Sequence, residues 1–209
     1  MKLTLHTFLT VDGVMQAPGG ADEDTTGGFA HGGWLVPFAD QDMGTIVNGW
    51  FEKADALLLG RSTYDAMFPY WSQVTDPDNI AGVKLNGQPK YVVSSTLNDP
   101  QWRDTTVLSG NVIEEVTKLK NRTGGELQIH GSWALAQSLH RAGLIDEYRL
   151  LVFPVAVGRG KRLFTDDAPA TGFRLTDSAT TSTGAVYSAL TPAPFEAGTA
   201  EVAGGKEVV

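Results

Sequence analysis

Apolar and polar positions along the 209-residue chain alternate between two periods, one of strands and one of helices. Lys2 to Leu9 has the two-residue period, which sets Leu3, Leu5, Thr7 and Leu9 on one face of a strand. Ala56 to Leu59 and Leu127 to His130 are short apolar runs, the pattern of strands buried on both faces. Lys90 to Ser94 and Thr105 to Leu108 read as further strands, and Glu147 to Val155 as a long apolar one. Phe173 to Ala179 and Ala185 to Leu190 pair as a closing hairpin.

Between the strands, apolar residues return at helical spacing. Met43, Ile46, Val47, Trp50 and Phe51 predict a helix over Asp40 to Lys53. Arg61 to Phe68 predicts a short helix stopped before Pro69. Asn111 to Asn121 predicts another, opened by an Asn111–Glu114 capping box. Ser132 to Ala142 predicts a third, with Ser132 as N-cap and Gly143 as C-cap. Trp71 to Gln88 reads as a polar excursion. Asp12 to Gly33 holds seven glycines and is too long for a simple turn, so it reads as a functional loop. The alternation implies an α/β fold: a mostly parallel sheet with helices on both faces and an antiparallel hairpin at its end. Residues 1–191 form one domain in this reading, and 192–209, poor in large apolar residues, a flexible tail.

Composition narrows the function. Hydrophobic residues at 42% and charged residues at 19% give a globular balance, and no apolar run approaches the roughly 18 residues of a bilayer span. The expected location is the cytoplasm, with no membrane partner. No cysteine is present, which removes thiolate and Cys-ligated metal chemistry, and the histidines have no metal-binding spacing. A net charge of −8 argues against nucleic acid. An anionic ligand must then be held by local cations and backbone N–H groups.

Two turns have that form. Leu57-Leu58-Leu59-Gly60-Arg61-Ser62-Thr63 runs from a buried strand through glycine into a helix start, where unpaired N–H groups and the positive dipole end face an anion. Arg61 can grip a phosphate bidentately, and Thr63 can donate a hydroxyl. Ile129-His130-Gly131-Ser132-Trp133 repeats the pattern. Two such turns in one sheet suit the two phosphate clusters of a dinucleotide. The strand-end hydroxyls of Ser94 and Ser95 serve either an adenosine phosphate or a local turn. No G-x-G-x-x-G opens a helix and no Walker loop is present, so a standard dinucleotide fold is disfavoured.

Four stretches taken together resemble the dihydrofolate-reductase fold, in the branch of the riboflavin-biosynthesis reductase (the RibD C-terminal domain type). They are Thr10 to Met15, Leu57 to Tyr64, Tyr91 to Ser95, and Gln128 to Leu135 followed by Asp146-Glu147 and Val152 to Phe164. The resemblance implies NADPH along the carboxyl ends of the strands. Gly60, Arg61 and Thr63 would meet its phosphates, with Arg61 reading the 2′-phosphate. Ser94 and Ser95 would lie at the adenosine end. His130, Gly131, Ser132 and Trp133 would hold the pyrophosphate from the other side, and Phe8, Val14 and Met15 would border the nicotinamide. It also implies a homodimer. The pterin-binding acid of dihydrofolate reductases has no secure counterpart: Asp40 and Asp42 are near, and Gly44 stands at the nominal position.

The expected activity is hydride transfer from NADPH to a small heterocyclic or carbonyl-like substrate, resembling 5-amino-6-(5-phosphoribosylamino)uracil or dihydrofolate. Asp12 is the candidate acid. Trp34, together with Phe68, Tyr70 and Trp71, is a candidate wall for a flat substrate. Gly158, Gly160 and Lys161 are candidates for its phosphoribosyl end. The alternative is a non-catalytic NADP(H)-binding sensor on the same fold.

Overall fold

A computed structural model describes residues 1–199, 201–203 and 206–208. The alternating N-terminal segment forms strand β1 (Lys2–Thr10), and α1 (Gln41–Glu52) returns to β2 (Ala54–Gly60). Then follow α2 (Arg61–Trp71), α3 (Ile80–Gly87), β3 (Lys90–Val93), β4 (Thr105–Leu108), α4 (Val112–Lys120) and β5 (Glu126–His130). The chain continues through α5 (Trp133–Arg141), β6 (Glu147–Phe153), β7 (Gly172–Thr180) and β8 (Val186–Ala193). Eight strands make one sheet in the order β4-β3-β2-β5-β1-β6-β8-β7. The first six are parallel, while β8 runs antiparallel to β6 and β7 antiparallel to β8.

Strand alternation divides the core between two faces. Leu3, Leu5 and Leu9 of β1 pack with Val116 and Leu119 of α4 and with Leu135 and Leu139 of α5. On the opposite face, Phe51 of α1, Tyr64 of α2 and Leu85 of α3 cover Leu57 and Leu59 of β2. Trp50 of α1 joins Trp34, Phe153 and Tyr187 in a third cluster beside it. The result is the expected three-layer α/β fold of the dihydrofolate-reductase type.

Several boundaries differ from the sequence reading. Helix α2 does not stop before Pro69 but runs through it to Trp71. Proline removes one N–H near the end of the helix, and Phe68 is held there by Tyr64 and Trp102, with ring centroids 5.8 and 6.0 Å away. The supposed polar excursion contains α3. Asn79 caps it by accepting from Gly82 N at 2.8 Å, and its Ala81 and Leu85 are buried. Its last turn is tied to the sheet by Lys90, a fully buried lysine that donates to Leu85 O and Gln88 O at 2.9 and 2.8 Å. The long strand β6 lies between β1 and β8, so the sheet's edges are β4 and β7. The closing hairpin is present, with β8 extended to Ala193. Residues Glu201–Ala203 (β9) and Lys206–Val208 (β10) pair antiparallel. The expected flexible tail, 192–209, also includes positions 200, 204, 205 and 209, which lie outside the described residues.

Candidate functional site

Because β1 to β6 are parallel, Thr10, Gly60, Val93, Leu108, His130 and Phe153 all end at one edge of the sheet. The two glycine turns stand next to each other there, since β2 and β5 are neighbours. They are also bonded to one another. Gly60 N–H donates to Ser132 Oγ at 3.0 Å, and Ser132 N–H donates to Thr63 Oγ1 at 3.1 Å. Ser132 Oγ donates in turn to His130 O at 3.1 Å. Gly131 and Ser132 both adopt left-handed backbone, φ +56° and +55°. This turns the Ser132 side chain toward the other turn and away from its own helix. Ser132 thus occupies the N-cap position without capping, and no side chain caps the start of α2 or α5. The first N–H groups of both helices remain available at the edge.

Between these turns and β6 the sheet opens. His6 is in register with His130, and Gly131 N–H donates to His6 O at 3.0 Å as the last rung between β1 and β5. From there β1 continues to Thr10 beside β6 alone. The alternation of a parallel ladder points the Phe8 N–H and C=O toward the side β5 has left.

The remaining predicted residues differ in how their groups are engaged. Arg61 donates through Nε to both carboxylate oxygens of Asp65, 2.9 and 2.7 Å, in a solvent-exposed pair. Ser94 Oγ accepts from Thr96 N and Leu97 N at 3.1 and 3.0 Å and so closes a local turn, while Ser95 is exposed. The His130 ring points away from the turn, stacked between His6 and Phe51 at 4.8 and 4.5 Å, with Nε2 3.1 Å from Gln128 Oε1. Burial, followed by the Arg149 charge, pushes its pKa down to about 3, which leaves the ring neutral. Trp133 Nε1 donates to Arg162 O at 2.8 Å.

The long loop is fastened to the segment after β6. Asp12 accepts from Thr10 Oγ1 at 2.5 Å, Gly158 N at 2.8 Å and Val157 N at 3.3 Å, and Arg162 Nε donates to Asp12 O at 2.8 Å. Partial desolvation opposes ionisation, but these bonds hold the carboxyl below the usual range, so Asp12 is a carboxylate at neutral pH. Gln16 donates to Asp24 O and Thr26 O, and its Oε1 accepts from Lys161 N at 3.1 Å. Lys161 Nζ meets Asp24 at 2.6 Å. Val14 and Met15 are buried in different clusters. Trp34 is also buried, its Nε1 donating to Gln16 O at 2.7 Å, which makes it part of the loop's own core. Gly160 and Lys161 border a cavity of about 280 Å³ with Gln16, Thr26, Phe29 and Arg159. Phe68 borders a separate opening of about 480 Å³ near Trp102, before the amino end of β4, and Tyr70 is exposed. Asp40 caps α1 through Met43 N and accepts from Ser182 and Thr183, so the acid near the nominal pterin position is engaged by the β7–β8 turn.

Sequence reading missed a buried polar network under α1. Arg149 forks onto Glu126 at 2.9 and 2.5 Å and donates through Nε to Glu147 at 2.6 Å. Lys2 reaches Glu147 at 2.6 Å. Gln128 Nε2 donates to Glu126 and to Trp50 O, both at 2.7 Å. Two cations and two carboxylates balance. Alternation in β5 and β6 carried the signal: Glu126, Gln128 and His130 share a face, as do Glu147 and Arg149.

A largely parallel sheet with two joined, uncapped helix starts at its carboxyl edge, beside an opened strand seam, defines an α/β domain of the dihydrofolate-reductase fold class. The chain belongs to the RibD C-terminal domain family, whose model matches residues 1–187. Two proteins of Bacillus subtilis (strain 168), both described as uncharacterized, are similar to it. YyaP is 28% identical over 88% of this chain and 92% of its own length, and YwjB 24% identical over 83% and 88%. Among solved structures, a putative riboflavin biosynthesis protein from Shewanella sp. PV-4 has a TM-score of 0.69 at 22% identity, covering 93% of this chain and all of that one. RibD of Acinetobacter baumannii has a TM-score of 0.60 at 14% identity, covering 92% of this chain and 58% of its own. At these identities the structures support the fold. No described helix is long and apolar enough to cross a membrane.

Proposed function

We propose that this chain is an NADPH-dependent reductase acting on a small heterocyclic or carbonyl-like substrate of the kind reduced in riboflavin or folate metabolism. The observation that carries the reading is the mutual bonding of the two glycine turns, Gly60 to Ser132 and Ser132 to Thr63. It brings two uncapped helix starts together at one edge, which suits two phosphate groups of one extended ligand. Bound NADPH would supply the hydride. The residues present fit it: Gly60, Arg61 and Thr63 on one side of the phosphates, Gly131, Ser132 and Trp133 on the other. Ser95, with Ser94 shaping its turn, lies toward the adenosine. His130 contributes through its backbone, its ring being turned into the core. The Phe8 backbone faces the opened seam and suits a carboxamide, with Val14 in the cluster that packs the Phe8 ring and Met15 in the core on the other side.

On the substrate side, Gly160 and Lys161 offer a phosphate-bearing end a cavity rimmed by Arg159, with Gly158 held beside it by Asp12. Asp12 takes the role of a clamp: its carboxylate is engaged by backbone N–H groups and is a poor proton donor near neutral pH. The same engagement is what favours the second reading, a sensor that binds NADP(H) without turnover. Fluorescence titration with NADPH and NADH tests the cofactor. Saturable binding with preference for NADPH is expected, and its absence overturns the proposal. Steady NADPH oxidation with any member of a panel of pyrimidine, pteridine and carbonyl compounds excludes the sensor. The proposed assembly is a homodimer using the exposed apolar residues Leu175 and Val186 of the terminal hairpin.

A further inference from the structure

The larger of the two openings described above lies away from the glycine turns. Helix α2 leaves Gly60 at the carboxyl edge of the sheet and runs about 16 Å toward the amino edge. There its Phe68, with Ser72 just beyond the helix, borders a cavity of about 480 Å³, a size that suits one small molecule. One wall is the segment after α2, with Val74, Thr75 and Asp76. The other is the segment before β4, with Trp102 and Arg103. Asn86 of α3 ties the walls together. Its Nδ2 donates to Trp71 O and Val74 O at 2.9 and 3.0 Å, and its Oδ1 accepts from Trp102 Nε1 at 2.8 Å. Both ends of that amide are engaged, so the walls hold a set spacing.

The cavity carries one acid and one base. Asp76 accepts from Asp78 N at 3.0 Å through Oδ1, which leaves Oδ2 open among the described residues. Arg103 donates through Nη2 to Asn86 O at 3.0 Å, and its Nε stands 3.3 Å from Asp104 in an exposed, weak pair. Its Nη1 remains open among the described residues. Ser72 and Thr75 add hydroxyls on the Asp76 side, and Phe68, Val74 and Val83 give the lining its apolar surface.

We propose that this cavity binds a zwitterion, a free α-amino acid with an apolar side chain. Asp76, with Ser72 and Thr75, takes the ammonium, Arg103 takes the carboxylate, and Phe68, Val74 and Val83 take the side chain. The opposed charges are what select this class. A phosphate-bearing molecule would set like charge against Asp76 with Arg103 alone to offset it, and a purely apolar one would desolvate both charged groups without return. The site is at the other edge of the sheet from the glycine turns and does not depend on the reductase reading.

The test uses the whole chain with L-phenylalanine and L-leucine as probes. Phenethylamine and phenylacetate, each lacking one of the two charges, are the comparisons. In ¹H–¹⁵N spectra the Trp102 Nε1–H signal, assigned with Trp102→Phe, is expected to move saturably with the amino acids. The two single-charge compounds are expected to bind at least about tenfold more weakly, since each forgoes a charged hydrogen bond. Arg103→Gln and Asp76→Asn, both at exposed positions, are expected to weaken the amino acids by a similar factor and to keep the parent's urea midpoint. An unmoved Trp102 signal with both amino acids, equal binding of the single-charge compounds, or unchanged affinity in both variants each overturns the proposal. The single-charge compounds decide it on the parent protein even if a variant folds poorly.

Discussion

Arg61 and the histidine pair illustrate how much a residue's role depends on what it already touches. Arg61 spends one nitrogen on Asp65 in an exposed pair whose worth is at most about 1 kcal/mol, so a phosphate competes for it easily. Arg61→Ala is expected to weaken NADPH by roughly tenfold or more and NADH little, since a lost charged hydrogen bond costs about 1.5–3 kcal/mol. Equal losses in paired titrations would remove Arg61 from 2′-phosphate recognition. The stacked histidines make a different prediction. Both are neutral when folded and take up protons near the ordinary pKa of 6.5 when unfolded. The unfolded chain therefore binds more protons in acid. Their contribution to stability is full above about pH 6.5 and falls as the pH drops below it, for His130 by up to about 1.4 kcal/mol per pH unit down to its folded pKa of about 3. Urea midpoints of the parent and His130→Phe between pH 7 and pH 4 should diverge, the parent losing more. Parallel curves would show that His130 is not held neutral.

Among the elements, the strand-to-helix turns were legible in the sequence, but their mutual bonding was not. Ser132 follows Gly131 where a helix begins, which reads as an N-cap. The left-handed backbone at both residues instead sends its hydroxyl to Gly60. Ser132→Ala is expected to cost about 1–2 kcal/mol by urea unfolding, because the Gly60 N–H loses its acceptor. Ser132→Gly should cost less, since glycine accepts φ +55° without the strain of an L residue. Equal losses in the two variants would mean that backbone strain plays no part there. Helix α3 was hidden for a related reason. It is short, its apolar residues Ile80, Ala81, Val83 and Leu85 form no one-sided stripe, and it is stabilised by contacts distant in sequence, Asn86 with Trp71, Val74 and Trp102, and Lys90 with Leu85 O.

For the whole molecule, the exposed edge is β7, whose Leu175 is 57% exposed, and Val186 of the neighbouring β8 is 46% exposed. An edge strand presents unpaired backbone groups, and with Leu175 exposed on it this one invites pairing or cover. Light scattering is expected to give the mass of a dimer, and Leu175→Lys to shift it toward the monomer. A parent monomer at working concentration would refute the assembly. The order of the strands, and so which of them is an edge, could not be read locally: β6 is apolar enough to be either central or covered, and only pairing with β8 settles it.

Periodicity, glycine placement and helix caps are local, so the sequence by itself determined the α/β alternation, the two glycine turns and the closing hairpin. The resemblance carried by four short stretches placed the chain in its family. Tertiary structure decided what depends on neighbours far along the chain: that the two turns bond to each other, that Asp12 is a clamp held by Gly158 and Val157, that Trp34 belongs to a core, and that His6 keeps one buried nitrogen without a partner. Side-chain hydrogen bonds and burial are set by which strands become adjacent, and residues such as Gly60 and Ser132 meet only when the sheet closes around them.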